Sequence, residues 1–300
     1  MKIKLILISL VVAVFMSVGL VGAQDAPATL VRALTNDIEN FNTVTQSLST
    51  SSIAQSYIFP SLFKTDIQTG LPTPGLTSWT ISDDGLVYTF TIRPDANWSD
   101  GTPITSADVK FTYDAIAQPN VETIRKSFLE SISALNVIDD KTFEIALSTP
   151  NCNIWGDLST LIMPAHKFAA DFSDFTTSDF NSKPDISGGP YIVDEWSPDE
   201  FVRYNANPTY WDGVPAFDTL VLQVIPDPAV TLQALTTGEV DFTEISPEDA
   251  EQLQDAGNIA LYPLTLNQVR YLILNMGDPN SAASAYDDNG DPIEQAPNPF

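Results

Sequence analysis

The chain has 300 residues, with 13 Lys+Arg against 39 Asp+Glu and a formal net charge of −26. That much like charge repels nucleic acids and anionic membrane surfaces, which argues against both as partners. A hydrophobic content of 43% is ample for a core and argues against intrinsic disorder.

Lys2 and Lys4 precede an uncharged apolar run from Leu5 to Val21, which ends in Val21-Gly22-Ala23 before Gln24. Basic flank, apolar core and small residues predict a secretory signal peptide over 1–23. No basic stop-transfer group follows, which disfavours a membrane anchor. No cysteine follows the small residues, so a lipoprotein is not expected. Lys2 and Lys4 are the only charged residues in 1–23. The remaining 277 residues would therefore carry 11 Lys+Arg against 39 Asp+Glu, a net charge of −28. The single cysteine, Cys152, cannot form an internal disulfide and is expected to be a small buried hydrophobe.

Thr29 to Leu34 reads as a strand leading into the polar segment Thr35 to Asn42. A helix is expected over about Ser51 to Phe63, with Ile53, Tyr57, Ile58 and Leu62 inward and Pro60 as its stop. The clearest strand signal follows. Trp79 to Ser82 and Leu86 to Arg93 flank the turn Asp83-Asp84-Gly85, and Leu86, Tyr88, Phe90 and Ile92 share one face. Period two around Asp-Gly is a β-hairpin with one buried side. Thr105 and Asp108 have capping-box spacing, Ile104 and Val109 form a hydrophobic staple, and Pro119 ends that helix. Ile132 to Val137 and Phe143 to Leu147 read as paired strands around Asp139-Asp140-Lys141.

After the less regular stretch 150–183, Ser187-Gly188-Gly189-Pro190 reads as a flexible approach to a strand at Tyr191 to Val193. Phe201 to Tyr204 can pair with it, and Leu220 to Ile225 is another strand. Asp227 with Pro228 opens a helix that Gly238 closes, with Leu232 and Leu235 inward. Ser246, Pro247 and Asp249 open a second helix, with Leu253 inward. Val240-Asp241-Phe242 is a short strand between them, and Tyr271 to Met276 is an apolar strand in need of neighbours. The loop-like residues 277–300 end without a closing element, which reads as a truncated chain.

Most catalytic constellations have no residues to build them. One histidine, His166, and one cysteine cannot make a zinc site, and His166 reads as a boundary or surface residue. Phosphate-loop, dinucleotide and Gly-x-Ser-x-Gly patterns do not occur, so neither enzyme nor cofactor is expected. Paired carboxylates for glycoside hydrolysis are easy to propose among 39 acids and correspondingly weak. Asp287 to Gly290 resembles the middle of a calcium loop but lacks the first and twelfth ligands, so it reads as a solvated turn. Trp98, Trp196 and Trp211 read as core-edge residues. Trp155, in the irregular stretch Asn151 to Gly156, reads as the aromatic that faces a solute.

The run from Asp83 to Arg93, followed by Trp98-Ser99-Asp100-Gly101-Thr102-Pro103 and on to Tyr113, resembles bacterial extracellular solute-binding proteins, family 5. So do Gly188-Gly189-Pro190-Tyr191, Asn207-Pro208 with Tyr210-Trp211, and Gly238-Glu239-Val240-Asp241, in the same order. The resemblance implies an α/β fold of the periplasmic binding protein-like type II class. Two lobes would be joined by a hinge, with the second lobe largely absent from this chain. It implies a principal domain of 24–56 plus 187–269, an inserted α+β subdomain at 57–186, and a hinge strand with the start of the second lobe at 270–300. The implied function is capture of short peptides for the permease and cytoplasmic ATPase of an ABC importer, by a monomer in the periplasm or at the cell exterior.

Candidate ligand contacts are Asn36, Asp37 and Phe41, in the loop after the first strand, and Trp155. Asp37 or Glu39 could meet an amine. Oligosaccharides or a nickel complex are same-fold alternatives. A secreted structural or adhesion protein, or a secreted hydrolase, is the alternative of a different class.

Overall fold

The computed structural model describes residues 28–253 and 257–263. The chain divides into a unit of 1–258 and a unit of 259–300. Of the second unit only 259–263 are described, without regular secondary structure. The expected signal peptide, the strand from Tyr271 to Met276 and the turn at 287–290 lie outside the described residues.

Two four-stranded sheets organise the first unit. One consists of β1 (Thr29–Leu34), β8 (Tyr191–Ser197), β9 (Phe201–Ala206) and β10 (Thr219–Val224), in the order β1-β10-β9-β8. β1 runs parallel to β10, with Thr29 opposite Thr219 and Leu34 opposite Val224, and the other pairs are antiparallel. The second sheet lies wholly within 77–147. Its strands are β4 (Thr77–Ile81), β5 (Val87–Ile92), β6 (Ile132–Asp139) and β7 (Thr142–Leu147), antiparallel in the order β4-β5-β7-β6. Tyr88, Phe90 and Ile92 alternate inward along β5 as the period-two pattern requires. Phe90 stacks on Phe143 of β7 at 5.1 Å between centroids. A small hairpin of β2 (Phe63–Thr65) and β3 (Pro72–Pro74) was not foreseen. The main hydrophobic core runs from Leu34, Phe41 and Ile58 through both sheets to Tyr204 and Leu222, and a smaller cluster gathers Ala33, Ala234 and Val240.

Among the described residues, five α-helices join them. α1 is Ser49–Ser56, α2 is Ser106–Ala117, α3 is Ile154–Asp157, α4 is Pro228–Thr237 and α5 is Pro247–Leu253. α2 starts and ends near its predicted limits, and Ile104 and Val109 are both fully buried at its start. On α4 the Asp227 carboxylate accepts from the N–H groups of Ala229 (2.8 Å) and Val230 (3.4 Å). Gly238 closes the helix at φ +77°, a left-handed position that favours glycine. Asp227→Ala should therefore cost about 1 kcal/mol and lower Tm by about 2–4 °C in a thermal melt.

Four expectations need correction. The helix after β1 begins earlier and stops at Ser56, well before Pro60, and the backbone N–H groups of Ile58 and Phe59 close it on Gln55. On α4, Thr231 and Ala234 are the buried residues and Leu232 is only half-buried, while Leu235, also half-buried, does pack inward against Ala33, Ala234 and Val240. Cys152 is exposed, because it sits in the turn ahead of α3 rather than in a helix face or strand. The fourth concerns Ser187-Gly188-Gly189, which is a fixed crossing and not a flexible lead-in. The N–H groups of Gly188 and Gly189 and the Ser187 hydroxyl all donate to the Ile58 carbonyl, at 2.9, 3.0 and 2.9 Å.

Candidate functional site

The feature that departs most from a plain scaffold is the inward face of α1. Its buried residues are Thr50, Ser51, Ala54 and Gln55, three of them polar. Buried polar side chains require partners, and here the partners are the backbone of the loop after β1. Thr50 Oγ1 donates to the Asp37 carbonyl (3.0 Å), and the Glu39 N–H donates to Ser51 Oγ (2.8 Å). Gln55 Nε2 donates to the carbonyls of Asn40 (3.0 Å) and Asn42 (3.2 Å). α1 thus acts as a template for residues 37–42.

That loop turns into a recess of about 260 Å³. Thr43 and Gln46 border it from the loop, Ser52, Gln55 and Ser56 from α1, and Ser159 and Leu161 from the segment after α3. Arg125 closes it from a short 3₁₀ helix at Ile124–Leu129. Thr123 sets the position of Arg125. Its hydroxyl donates to the Val44 carbonyl (2.6 Å) and accepts the Arg125 N–H (3.1 Å). Thr43 Oγ1 donates to the Leu161 carbonyl (2.8 Å), tying the opposite wall to the same loop.

Several polar atoms here are buried without a partner: Gln46 Oε1, Gln55 Oε1 and Arg125 Nε around the recess, and Thr160 Oγ1 between Ser159 and Leu161. Burial pushes the Arg125 guanidinium pKa below its ordinary value. The group still carries its charge, since arginine does not deprotonate in proteins. Among the described residues, no three His, Cys, Asp or Glu side chains converge as a metal site. A second recess of about 180 Å³ shares Ser56 and Leu161 with the first and extends to Phe59, Phe63, Tyr210 and Trp211. Burial and the neighbouring Asp212 push the Tyr210 phenol up to about 12, so it keeps its proton at neutral pH.

The four sequence candidates fall in two places, neither of them among the residues bordering the first recess. Asn36 is exposed, and its amide reaches only Thr35 Oγ1, at 3.4 Å. The Asp37 carboxylate accepts the N–H groups of Ile38 (2.7 Å) and Asp199 (2.8 Å) and the Trp196 indole N–H (3.2 Å). Phe41 is fully buried, edge-on to Trp196 at 5.8 Å. Asp37 and Phe41 therefore meet at Trp196. Trp155 stands apart, half-buried in an aromatic cluster with Trp79 (4.8 Å), Phe63 (5.2 Å) and Tyr88 (5.8 Å). The Glu39 carboxylate accepts the N–H groups of Ser47 (2.6 Å) and Leu48 (3.1 Å), which hold its pKa below the usual range. Sequence reasoning missed Arg125, Gln46 and Gln55. The usable signal was the polar run Gln46 to Ser56, whose side chains have no reason to be buried in a plain scaffold.

The two sheets and the helices beside them make a fold of mixed α/β class. The profile of bacterial extracellular solute-binding proteins, family 5 Middle, matches residues 72–289, and the chain belongs to that family. A Brucella ovis protein provisionally named as an ABC transporter peptide-binding protein is 33% identical over 174 residues, covering 57% of this chain and 33% of that one. The glutathione-binding protein GsiB of Escherichia coli O1:K1 / APEC is 29% identical over 231 residues, covering 75% of this chain and 44% of its own length. The structure of the oligopeptide-binding protein AppA from Bacillus subtilis, in complex with a nonapeptide, superposes with a TM-score of 0.71 at 25% identity. That match covers 78% of this chain and 47% of AppA. The chain thus spans a third to a half of the length of these proteins. The fold is the periplasmic binding protein-like type II class expected from the sequence.

Proposed function

We propose that the complete protein is the extracytoplasmic solute-binding component of an ABC importer. It captures short peptides, without turnover, and delivers them to a membrane permease driven by a cytoplasmic ATPase. It works as a monomer in the periplasm or at the cell exterior, after removal of 1–23. Residues 24–56 and 187–269 form the principal domain of its first lobe, 57–186 the inserted subdomain, and 270–300 the hinge strand and the start of the second lobe.

The observation that carries this reading is the match of residues 72–289 to the family of bacterial extracellular solute-binding proteins; the polar recess beside the loop after β1 is a concave site of the kind such a role uses. The peptide-binding and glutathione-binding names among its relatives support it. Asn36 has an exposed side chain to offer an extended solute directly, and Glu39 is exposed as well. Asp37 and Phe41 are positioning residues that act through Trp196, and Trp155 offers a half-buried ring.

Native mass spectrometry of the complete exported protein, purified without refolding, tests the proposal. A heterogeneous set of masses released as short peptides is the expected result. Discrete hexose spacings would replace peptide with sugar uptake. A bare protein that also ignores added peptides would favour a secreted structural role.

A further inference from the structure

The two recesses meet at a shared rim. Ser56, exposed at the end of α1, and the half-buried Leu161 border both. On one side of that rim the surface is polar. Ser56 and Ser159 are exposed there, and their hydroxyls donate to the nearby carbonyls of Ile53 and Gly156, both at 2.7 Å. Each oxygen keeps lone pairs with which to accept an N–H from a solute in the first recess.

On the other side the wall is mostly apolar, built by Phe59, Phe63, Leu76, Pro190, Tyr210 and Trp211. Lys64 also borders it, but its ammonium is paired with Asp212. The aromatic corner is fixed in advance. The Trp211 indole N–H donates to the Gly188 carbonyl (3.1 Å), and the Arg93 guanidinium lies over the ring at 4.9 Å. Ser61, Leu161, Pro190, Tyr210 and Trp211 are all half-buried, so the recess has surface that a solute can touch. Its volume of about 180 Å³ is close to the ~150 Å³ of an apolar cavity that accepts benzene. One side chain of leucine to phenylalanine size fits, and a whole peptide does not.

Resting on the peptide reading above, we propose that the second recess is a specificity pocket for one apolar side chain of the solute. The polar backbone beside that side chain lies across the Ser56–Leu161 rim in the first recess. A peptide residue has this shape, with N–H and carbonyl groups on one side of Cα and an apolar group on the other. Adjoining polar and apolar compartments therefore match a residue of Leu, Met or Phe type. A charged side chain would shed its water against rings and a proline without gaining a partner there. A small one would leave the recess unfilled and forgo the burial of its apolar wall.

The test uses the complete exported protein and tetraalanine with its Leu, Phe, Ser and Lys variants, pooled by position and competing in native mass spectrometry. Burial of one side chain predicts that at one position Leu and Phe outcompete Ala and Ser by about 10- to 100-fold, with Lys captured least. Ser61→Trp puts an indole into the recess from its rim, and the Leu-to-Ala ratio at that position should fall toward unity. Tyr210→Ala widens the recess and should move the preference from Leu toward Phe, a gain that a misfolded protein cannot show. If Ser61→Trp captures no peptide, the Tyr210→Ala ratios decide alone. A flat profile at every position overturns the inference and leaves the peptide reading standing. So does a Leu-to-Ala ratio undiminished in Ser61→Trp, or a Leu-to-Phe ratio unmoved in Tyr210→Ala. Capture of no peptide by the parent protein overturns both.

Discussion

Gly189→Ala is expected to destabilise the folded unit by about 3 kcal/mol, read as a lower urea midpoint with an unchanged slope and a Tm lower by about 6–12 °C. A Cβ at this position would stand 2.6 Å from the Tyr57 carbonyl oxygen and 3.0 Å from the carbonyl carbons of Tyr57 and Ile58. These are backbone atoms and cannot rotate away. Moving either strand of the crossing would also break what fixes it. The Tyr191 N–H donates to the Tyr57 carbonyl (3.0 Å), and the Asn207 amide donates to the Gly189 carbonyl (2.9 Å). The same crossing joins the end of α1 to the start of β8, so a shift there propagates into the wall of the recess. A Gly189→Ala protein as stable as its parent would mean that the chain can separate here at no cost.

That crossing also shows what sequence can and cannot report. Gly188-Gly189 was visible as a motif, but glycine serves flexibility and close approach equally well in a linear string, and only the Ile58 carbonyl beneath it decides. Strand existence was legible wherever period two ran for five or six residues, as in β5, because alternation follows directly from the pleat. Strand order was less so: β7 enters between β5 and β6, a long-range pairing with no local mark. The β2–β3 hairpin was hidden because its strands have three residues each and β3 carries Pro72 and Pro74, which weaken any strand signal. The capped helices α2, α4 and α5 were legible from their end residues, whose chemistry is local.

The recess escaped for a different reason. Its elements are individually unremarkable: a serine-rich run, one arginine and a short irregular segment. Aromatic and acidic residues of the first loop drew attention instead, and folding occupies two of them. The Asp37 carboxylate is taken by three N–H donors, and the Phe41 ring by the core. What marks Arg125 is that it joins no ion pair among the described residues, and what marks Gln55 is its burial against the loop carbonyls of Asn40 and Asn42; both are properties of the tertiary structure. Composition adds one hint in retrospect. In so acidic a chain an arginine without an acid needs an explanation, and its environment can be known only once the chain has closed around it.

Asp108→Ala is expected to cost about 3–4 kcal/mol, because a buried carboxylate there joins α2 to the segment that follows the recess residues Ser159 and Leu161. Asp108 is 4% exposed at the third position of α2. One oxygen accepts the Thr105 N–H (2.8 Å) and hydroxyl (3.3 Å), and the other accepts the Ala165 N–H (2.9 Å). One turn on, the Thr112 hydroxyl donates to the Asp108 carbonyl (2.9 Å) and accepts the Met163 N–H (2.9 Å). Together they hold residues 163–165, directly after Ser159 and Leu161. Truncation would leave two main-chain donors unbonded, Ala165 in a partly buried site, and would weaken the favourable charge at the helix start. It would also remove a carboxylate that opposes the burial-driven lowering of the Lys141 pKa. Thr112→Val keeps the shape but removes the acceptor for Met163, and should cost about 1–2 kcal/mol. Both side chains restrain one segment, so the double variant should lose less than the sum of the two. Urea midpoints give the three values, and hydrogen exchange at the Met163 and Ala165 amides should quicken in step. An Asp108→Ala midpoint within about 0.5 kcal/mol of the parent would mean that the segment is held by its packing alone.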